Sequence, residues 1–128
     1  MAANIRGGLC NKLDELSAIF GNRPNFVDIG CISEMWLKAS IEHSAFAISN
    51  YTCYRNDRAD GRQGGGVAVY VKSNLSCTHL YHYSVANLET LSILCRYPRM
   101  PRSLTHILIG VIYHPPDGDK HSMISHIL

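Results

Sequence analysis

No run of this sequence is long and apolar enough to cross a bilayer. The most apolar stretch, Ile107 to Ile112, has the length of a strand, whereas a spanning helix needs about 20 apolar residues. No secretory leader pattern opens the chain. Cysteine is sparse and scattered. Cys10, Cys31, Cys53, Cys77 and Cys95 are odd in number and widely spaced, without a C-x-x-C pair. That excludes a disulfide framework or a zinc ribbon and suggests reduced thiols in an intracellular protein. Charge is also modest. Twelve basic against ten acidic residues leave a net charge of +2, too little for an electrostatic footprint that would indicate nucleic acid by itself. Internal repeats and low-complexity segments are missing. What remains is a chain of 128 residues, 46% hydrophobic and 17% charged, the composition of one small domain with a real core.

Local patterns predict the elements. Met1 to Ile5 reads as the end of a strand. Asn11 to Phe20 places Leu13, Leu16, Ile19 and Phe20 at helical spacing, and Gly21-Asn22-Arg23-Pro24 stops that helix. Phe26 to Ser33 reads as a buried strand and Leu37 to Ser44 as a short helix. Strands are predicted at Tyr51–Arg55, Val67–Val71, Cys77–Tyr83, Glu89–Arg96 and Leu104–Tyr113, rich in β-formers and separated by turn residues. Lys120 to Leu128 begins a second helix. One early helix followed by a series of strands indicates an α+β or mixed-sheet α/β protein.

Three residues stand where strands end. Glu34 follows the apolar stretch Val27–Ser33. A carboxylate there suits a hard cation such as Mg²⁺, which keeps several waters and binds through one or two carboxylates. A solvated glutamate past a strand end is the plain alternative. Asn4 offers an uncharged amide donor to a phosphate oxygen or a water, or simply a turn or cap. Tyr113 closes the strand from Leu104 and can donate its hydroxyl to a phosphate, or else sits as a core tyrosine. Gly64-Gly65-Gly66 lacks a following G-K-[ST] and leads into a strand, so it is no phosphate loop; it permits a tight entry into Val67-Ala68-Val69. Around it, Arg55, Arg58, Arg62 and Lys72 form either a weak basic face toward a nucleic-acid backbone or a solvated loop. Glu89, at a strand start, and Asp14, on the helix surface, carry no assigned role.

Five blocks together carry a family resemblance: Asn4-Ile5-Arg6 with Asn11-Lys12-Leu13-Asp14-Glu15-Leu16; Asp28-Ile29-Gly30-Cys31-Ile32-Ser33-Glu34-Met35-Trp36-Leu37; Arg55-Asn56-Asp57-Arg58; Gly64-Gly65-Gly66-Val67-Ala68-Val69-Tyr70-Val71-Lys72; and Tyr113-His114-Pro115-Pro116. In this order they resemble the front half of the endonuclease/exonuclease/phosphatase family, most closely the endonuclease of LINE-type (non-LTR) retrotransposon polyproteins. Met35 stands where that group usually has threonine. The resemblance implies one partial domain over residues 1–128, half of a four-layer sandwich of mixed β-sheets flanked by helices. It implies Mg²⁺ or Mn²⁺ as cofactor, Glu34 as metal ligand, and Asn4 and Tyr113 as catalytic residues. The three side chains are expected to converge in one cleft. DNA is the implied partner, with the rest of a retroelement polyprotein if the reading frame continues, no membrane, and a nuclear location if functional.

The family's G-D-F-N and S-D-H blocks, which orient the nucleophile and supply acid–base groups, have no counterpart in the sequence. The implied function is therefore a fragment of an endonuclease that nicks DNA to prime reverse transcription, inactive on its own. A non-catalytic remnant with weak nucleic-acid or protein binding is one alternative, and a phosphatase or phosphodiesterase of the same superfamily another.

Overall fold

Residue 70 lies at the centre of the molecule, on a strand buried on both faces. The computed structural model describes residues 1–5, 9–21, 27–36, 40–57, 65–85, 88–114 and 120–127. In chain order these form β1 (Ala2–Asn4), α1 (Leu9–Gly21), β2 (Ile29–Ser33), a 3₁₀ turn (His43–Phe46), β3 (Tyr51–Asn56), β4 (Val67–Lys72), β5 (Ser76–Val85), β6 (Leu88–Arg96), β7 (Ile107–Tyr113) and α2 (Lys120–Ile127). One mixed sheet has the order β1-β2-β4-β3, with β1 parallel to β2 and the other pairs antiparallel. A second, antiparallel sheet has the order β5-β6-β7.

The two faces of β4 hold the layers together. Side chains alternate along a strand, so Val67, Val69 and Val71 point one way and Ala68 and Tyr70 the other. The three valines meet Leu91, Ile93 and Cys95 of β6, with Ile109, Val111 and Tyr113 of β7 packed alongside. Ala68 and Tyr70 instead join Ile32, Phe46 and the α1 residues Leu9, Leu16 and Phe20. Helix, mixed sheet and antiparallel sheet therefore stack in three layers. The outer face of β7 leaves Leu108 64% exposed.

The α1 stripe differs from its predicted form. Leu9, Leu16 and Phe20 are buried and Leu13 partly so, whereas Ile19 faces outward, 51% exposed. The seam starts earlier than the sequence pattern indicates and ends on Phe20, whose ring rests on Gly30 of β2. A Cβ at Gly30 would lie 2.5 Å from Phe20 Cζ. Phe20 also stacks on Tyr51, ring centroids 4.8 Å apart. Burying a ring of this size stabilises by roughly 1.5–3 kcal/mol, and the glycine makes that burial possible.

The helix predicted over Leu37–Ser44 is a correction. Residues 37–39 lie outside the described residues, Ser40 and Ile41 form a turn and bend, and the only helical piece described there is the 3₁₀ turn at His43–Phe46. Its backbone bond runs from Ala45 N to Glu42 O, 3.1 Å, three residues apart. A single buried knob, Phe46, anchors it, and one knob does not make the repeating apolar stripe that sustains an α-helix. Other bounds shift by a few residues: β2 begins at Ile29, and β7 at Ile107 rather than Leu104.

Candidate active site

Strand register gathers the ends of six strands on one rim. Asn4 ends β1 and pairs with Ser33 at the end of β2. Ser33 faces Val67, the first residue of β4, which faces Asn56, the last of β3. In the second sheet Glu89, near the start of β6, pairs with Tyr113, the last residue of β7. Two hydrogen bonds tie the sheets together here. Asn56 Nδ2 donates to Thr90 O at 2.8 Å, and Tyr113 Oη donates to Glu34 Oε1 at 2.6 Å. The latter distance is that of a charge-assisted O–H···O⁻ bond.

Glu34 reaches this position through unusual backbone. Its φ is 55° and that of Trp36 is 54°, left-handed values that cost a non-glycine residue roughly 1–3 kcal/mol and cluster at functional sites. Between them Met35 turns into the core and is fully buried. Glu34 itself is half-buried and Trp36 exposed.

Of the residues singled out from sequence, Glu34 and Tyr113 are in direct contact. Asn4 is exposed on the same rim and lines an open groove of about 290 Å³ with Cys31, Ser33, Val111 and Ile112. The basic residues do not gather there. Lys72, at the opposite end of β4, pairs with Asp28 at 3.3 Å. Arg55 turns inward, its side chain 14% exposed. Its guanidinium donates to Ile41 O at 2.9 Å, lies 3.5 Å from Asp57 Oδ2, and covers the Phe46 ring at 4.9 Å. Burial pushes the Asp57 carboxyl above its ordinary range, an effect that Arg55 and His43 oppose. Arg58 and Arg62 lie outside the described residues.

Two rim residues escaped the sequence reading. Asn56 falls just past the strand predicted at Tyr51–Arg55 and carries no assigned role there, yet it is buried and joins the sheets. Glu89 has no exposed surface at all. A signal for it existed. Glu89, Leu91, Ile93 and Cys95 share one parity, so an acid occupies an inward position of an otherwise apolar strand face, and acids are almost never fully buried unless paired.

The donors on this rim are all hard: a carboxylate, an amide and a phenol. They fit a cation such as Mg²⁺, which binds oxygen and retains water. Among the described residues, no group of three or more His, Cys, Asp and Glu side chains forms a preassembled cluster. That is compatible with a site completed by water and substrate phosphate rather than by protein alone.

A mixed sheet packed on an antiparallel one, with acid, phenol and amide on a shared rim, defines a two-sheet α/β protein. The chain belongs to the Endonuclease/Exonuclease/phosphatase family, whose model matches residues 1–123. Members of this family are generally metal-dependent. Among solved structures, the fold is similar to the endonuclease domain of TRAS1, a telomere-specific non-LTR retrotransposon, with a TM-score of 0.64 and 17% identity. That match covers 98% of this chain and 50% of the other, so the chain spans about half the length of the structure it resembles. No curated protein matches it significantly. No helix among the described residues is long and apolar enough to cross a membrane.

Proposed function

We propose that these 128 residues are the front half of a Mg²⁺-dependent DNA endonuclease domain of a non-LTR retroelement, one that nicks a phosphodiester to prime reverse transcription. The observation that carries this reading is the 2.6 Å bond from Tyr113 to Glu34, made across the two sheets in a chain of this family. It brings a metal-type carboxylate and a phosphate-type hydroxyl to one point from 79 residues apart.

Glu34 would hold the cation, which supplies Lewis-acid polarisation of the phosphate when bound. Tyr113, whose single hydroxyl proton rests on Glu34, would turn it to a non-bridging phosphate oxygen once a cation takes up that carboxylate, as negative charge builds on the phosphate. Asn4 donates an amide N–H to the phosphate or to the incoming water without adding charge. The half-buried setting of Glu34 and Tyr113 strengthens each of these interactions relative to open water. DNA is the substrate this assigns, and the nucleus the place where it would be met.

Within the 128 residues there is no G-D-F-N or S-D-H block. Residues of such sites act as units, and loss of one member removes several orders of magnitude in rate. The expected result of a supercoiled-plasmid relaxation assay with Mg²⁺ is therefore binding without appreciable nicking by 1–128. A chain extended through those two blocks should nick, lose activity with Glu34→Ala and slow with Tyr113→Phe. Nicking by 1–128 that Glu34→Ala abolishes would overturn the half-site argument. An extended chain indifferent to Glu34→Ala would overturn the site itself.

A further inference from the structure

The glycine run before β4 has no phosphate to cradle, and the reaction just described does not use it. Its surroundings point to another task. In the β2–β4 ladder Ser33 faces Val67, so regular continuation would bring Met35 opposite Gly65. Instead the N–H of Trp36 donates to Gly65 O at 3.1 Å, one residue out of step. That offset resembles a β-bulge, a device that bends a strand end and re-aims its side chains. The re-aimed side chain is Glu34.

Three contacts hold the offset in place. Gly66 has a φ of +84°, and a Cβ there would lie 3.0 Å from Met35 Cε and 3.2 Å from Met35 Cγ. Met35 is fully buried, so its side chain fills the space that the missing Cβ leaves. The carbonyl of Met35 accepts from Leu9 N at 2.7 Å, which fixes the segment to the first turn of α1. Trp36 is tied to Gly65 from the other side. The left-handed residues Glu34 and Trp36 thus flank a wedge clamped by a helix start and a glycine pair. Strained backbone persists only where its surroundings over-determine it, and these contacts do that.

We infer that Gly65, Gly66 and Met35 are positioning residues for Glu34: the glycine pair and the Met35 wedge lock its carboxylate at Tyr113 before a cation arrives. This rests on the reading of Glu34 as the metal ligand. It also gives meaning to Met35 in place of the usual threonine, because a long flexible side chain reaches the space over Gly66 and fills an irregular gap.

The test uses two readouts on the 128-residue chain. One is the affinity for Mn²⁺, followed through quenching of Trp36, the only tryptophan in the sequence. The other is amide exchange at Trp36 and Leu9, compared with Val69 and Tyr70 at the centre of β4. Met35→Ala withdraws the wedge, and Gly66→Ala adds a Cβ at a left-handed position. Each is expected to weaken Mn²⁺ binding about tenfold, the equivalent of one left-handed penalty. Each should also speed exchange at Trp36 and Leu9 by a similar factor while the β4 amides stay protected. Met35→Leu, which keeps the volume, should behave as the unaltered chain and guards against reading a folding defect as a lost clamp. If Glu34→Gln abolishes Mn²⁺ binding while Met35→Ala and Gly66→Ala leave it intact, the clamp is wrong and the metal ligand stands. If Glu34→Gln leaves binding unchanged, the metal reading fails. Amide exchange then decides the clamp alone: selective loss of protection at Trp36 and Leu9 supports it, and unchanged protection overturns it.

Discussion

Replacing Tyr113 by phenylalanine removes one oxygen and little else. That hydroxyl donates to Glu34 Oε1 at 2.6 Å in a partly buried setting. A hydrogen bond to a charged group contributes roughly 1.5–3 kcal/mol net, and partial exposure favours the lower part of that range. For a chain of this size, 1 kcal/mol moves the melting temperature by about 3–6 °C, so Tyr113→Phe should melt about 5–10 °C lower. The loss must come from the pair and not from the ring, which remains in the inter-sheet core. A double-mutant cycle separates the two. Urea unfolding of the unaltered chain, Tyr113→Phe, Glu34→Gln and the double variant, followed by Trp36 emission, should give a coupling energy of about 1.5 kcal/mol. Unchanged m-values would show that the comparison is between like states. Saturating Mg²⁺ should shrink the coupling, because the cation and the phenol then compete for one carboxylate. A coupling below about 0.5 kcal/mol, the level at which independent sites add, would refute the claim that this bond helps to tie the sheets at the rim.

Other consequences follow from packing and burial. Gly30→Ala sets a methyl 2.5 Å from Phe20 Cζ; overpacking of this kind costs about 1–3 kcal/mol, so a melt indistinguishable from the unaltered chain would contradict the seating of Phe20 on β2. Burial pushes the thiols of Cys53 and Cys95 up to about 12, with a hydrogen bond to Cys77 adding to the effect at Cys95. At pH 8 only about one in ten thousand of either is thiolate, so iodoacetamide should label exposed Cys10 first and these two only after unfolding. All five cysteines should count as free thiols in denaturing, non-reducing buffer. The same two groups link stability to pH. Their folded pKa values lie above the ordinary 9.0, so their contribution is complete below about pH 9 and is lost as pH rises toward 12. The urea midpoint should fall steadily from pH 9 upward, and a flat profile there would refute the burial of both thiols.

Elements with strong local periodicity were readable from sequence. The strand Val67-Ala68-Val69-Tyr70-Val71 announces itself through β-branched residues and no polar position, the pattern of a strand covered on both faces. That is how it lies, between α1 and the second sheet. The 3₁₀ turn at His43–Phe46 was not readable as such, because one buried phenylalanine decides it and a single anchor has no period. Ile19 was misassigned for a related reason: an apolar residue at helical spacing is ambiguous by one position until the partner surface is known. The fate of Arg55 depended on Ile41, Asp57 and the Phe46 ring, the first of them 14 residues away in the chain. No local rule reports such a partner.

The site itself shows the same division. Glu34 and Tyr113 were legible because each ends an apolar strand, and strand ends are where a rigid scaffold presents chemistry. Asn56 and Glu89 were not, because their importance comes from register. Glu89 stands opposite Tyr113 only when β6 and β7 pair as they do, and a slip of one residue would turn it to the other face. The buried polar atoms beneath the rim therefore enforce the pairing as well as serve the site. A shifted register would remove Asn56 from Thr90 O and leave polar groups in an apolar layer, at a cost of about 1–3 kcal/mol for each group left unsatisfied. Such a layer selects one alignment of the two sheets among those that apolar packing alone would tolerate. The alignment it selects is the one that brings Tyr113 to Glu34.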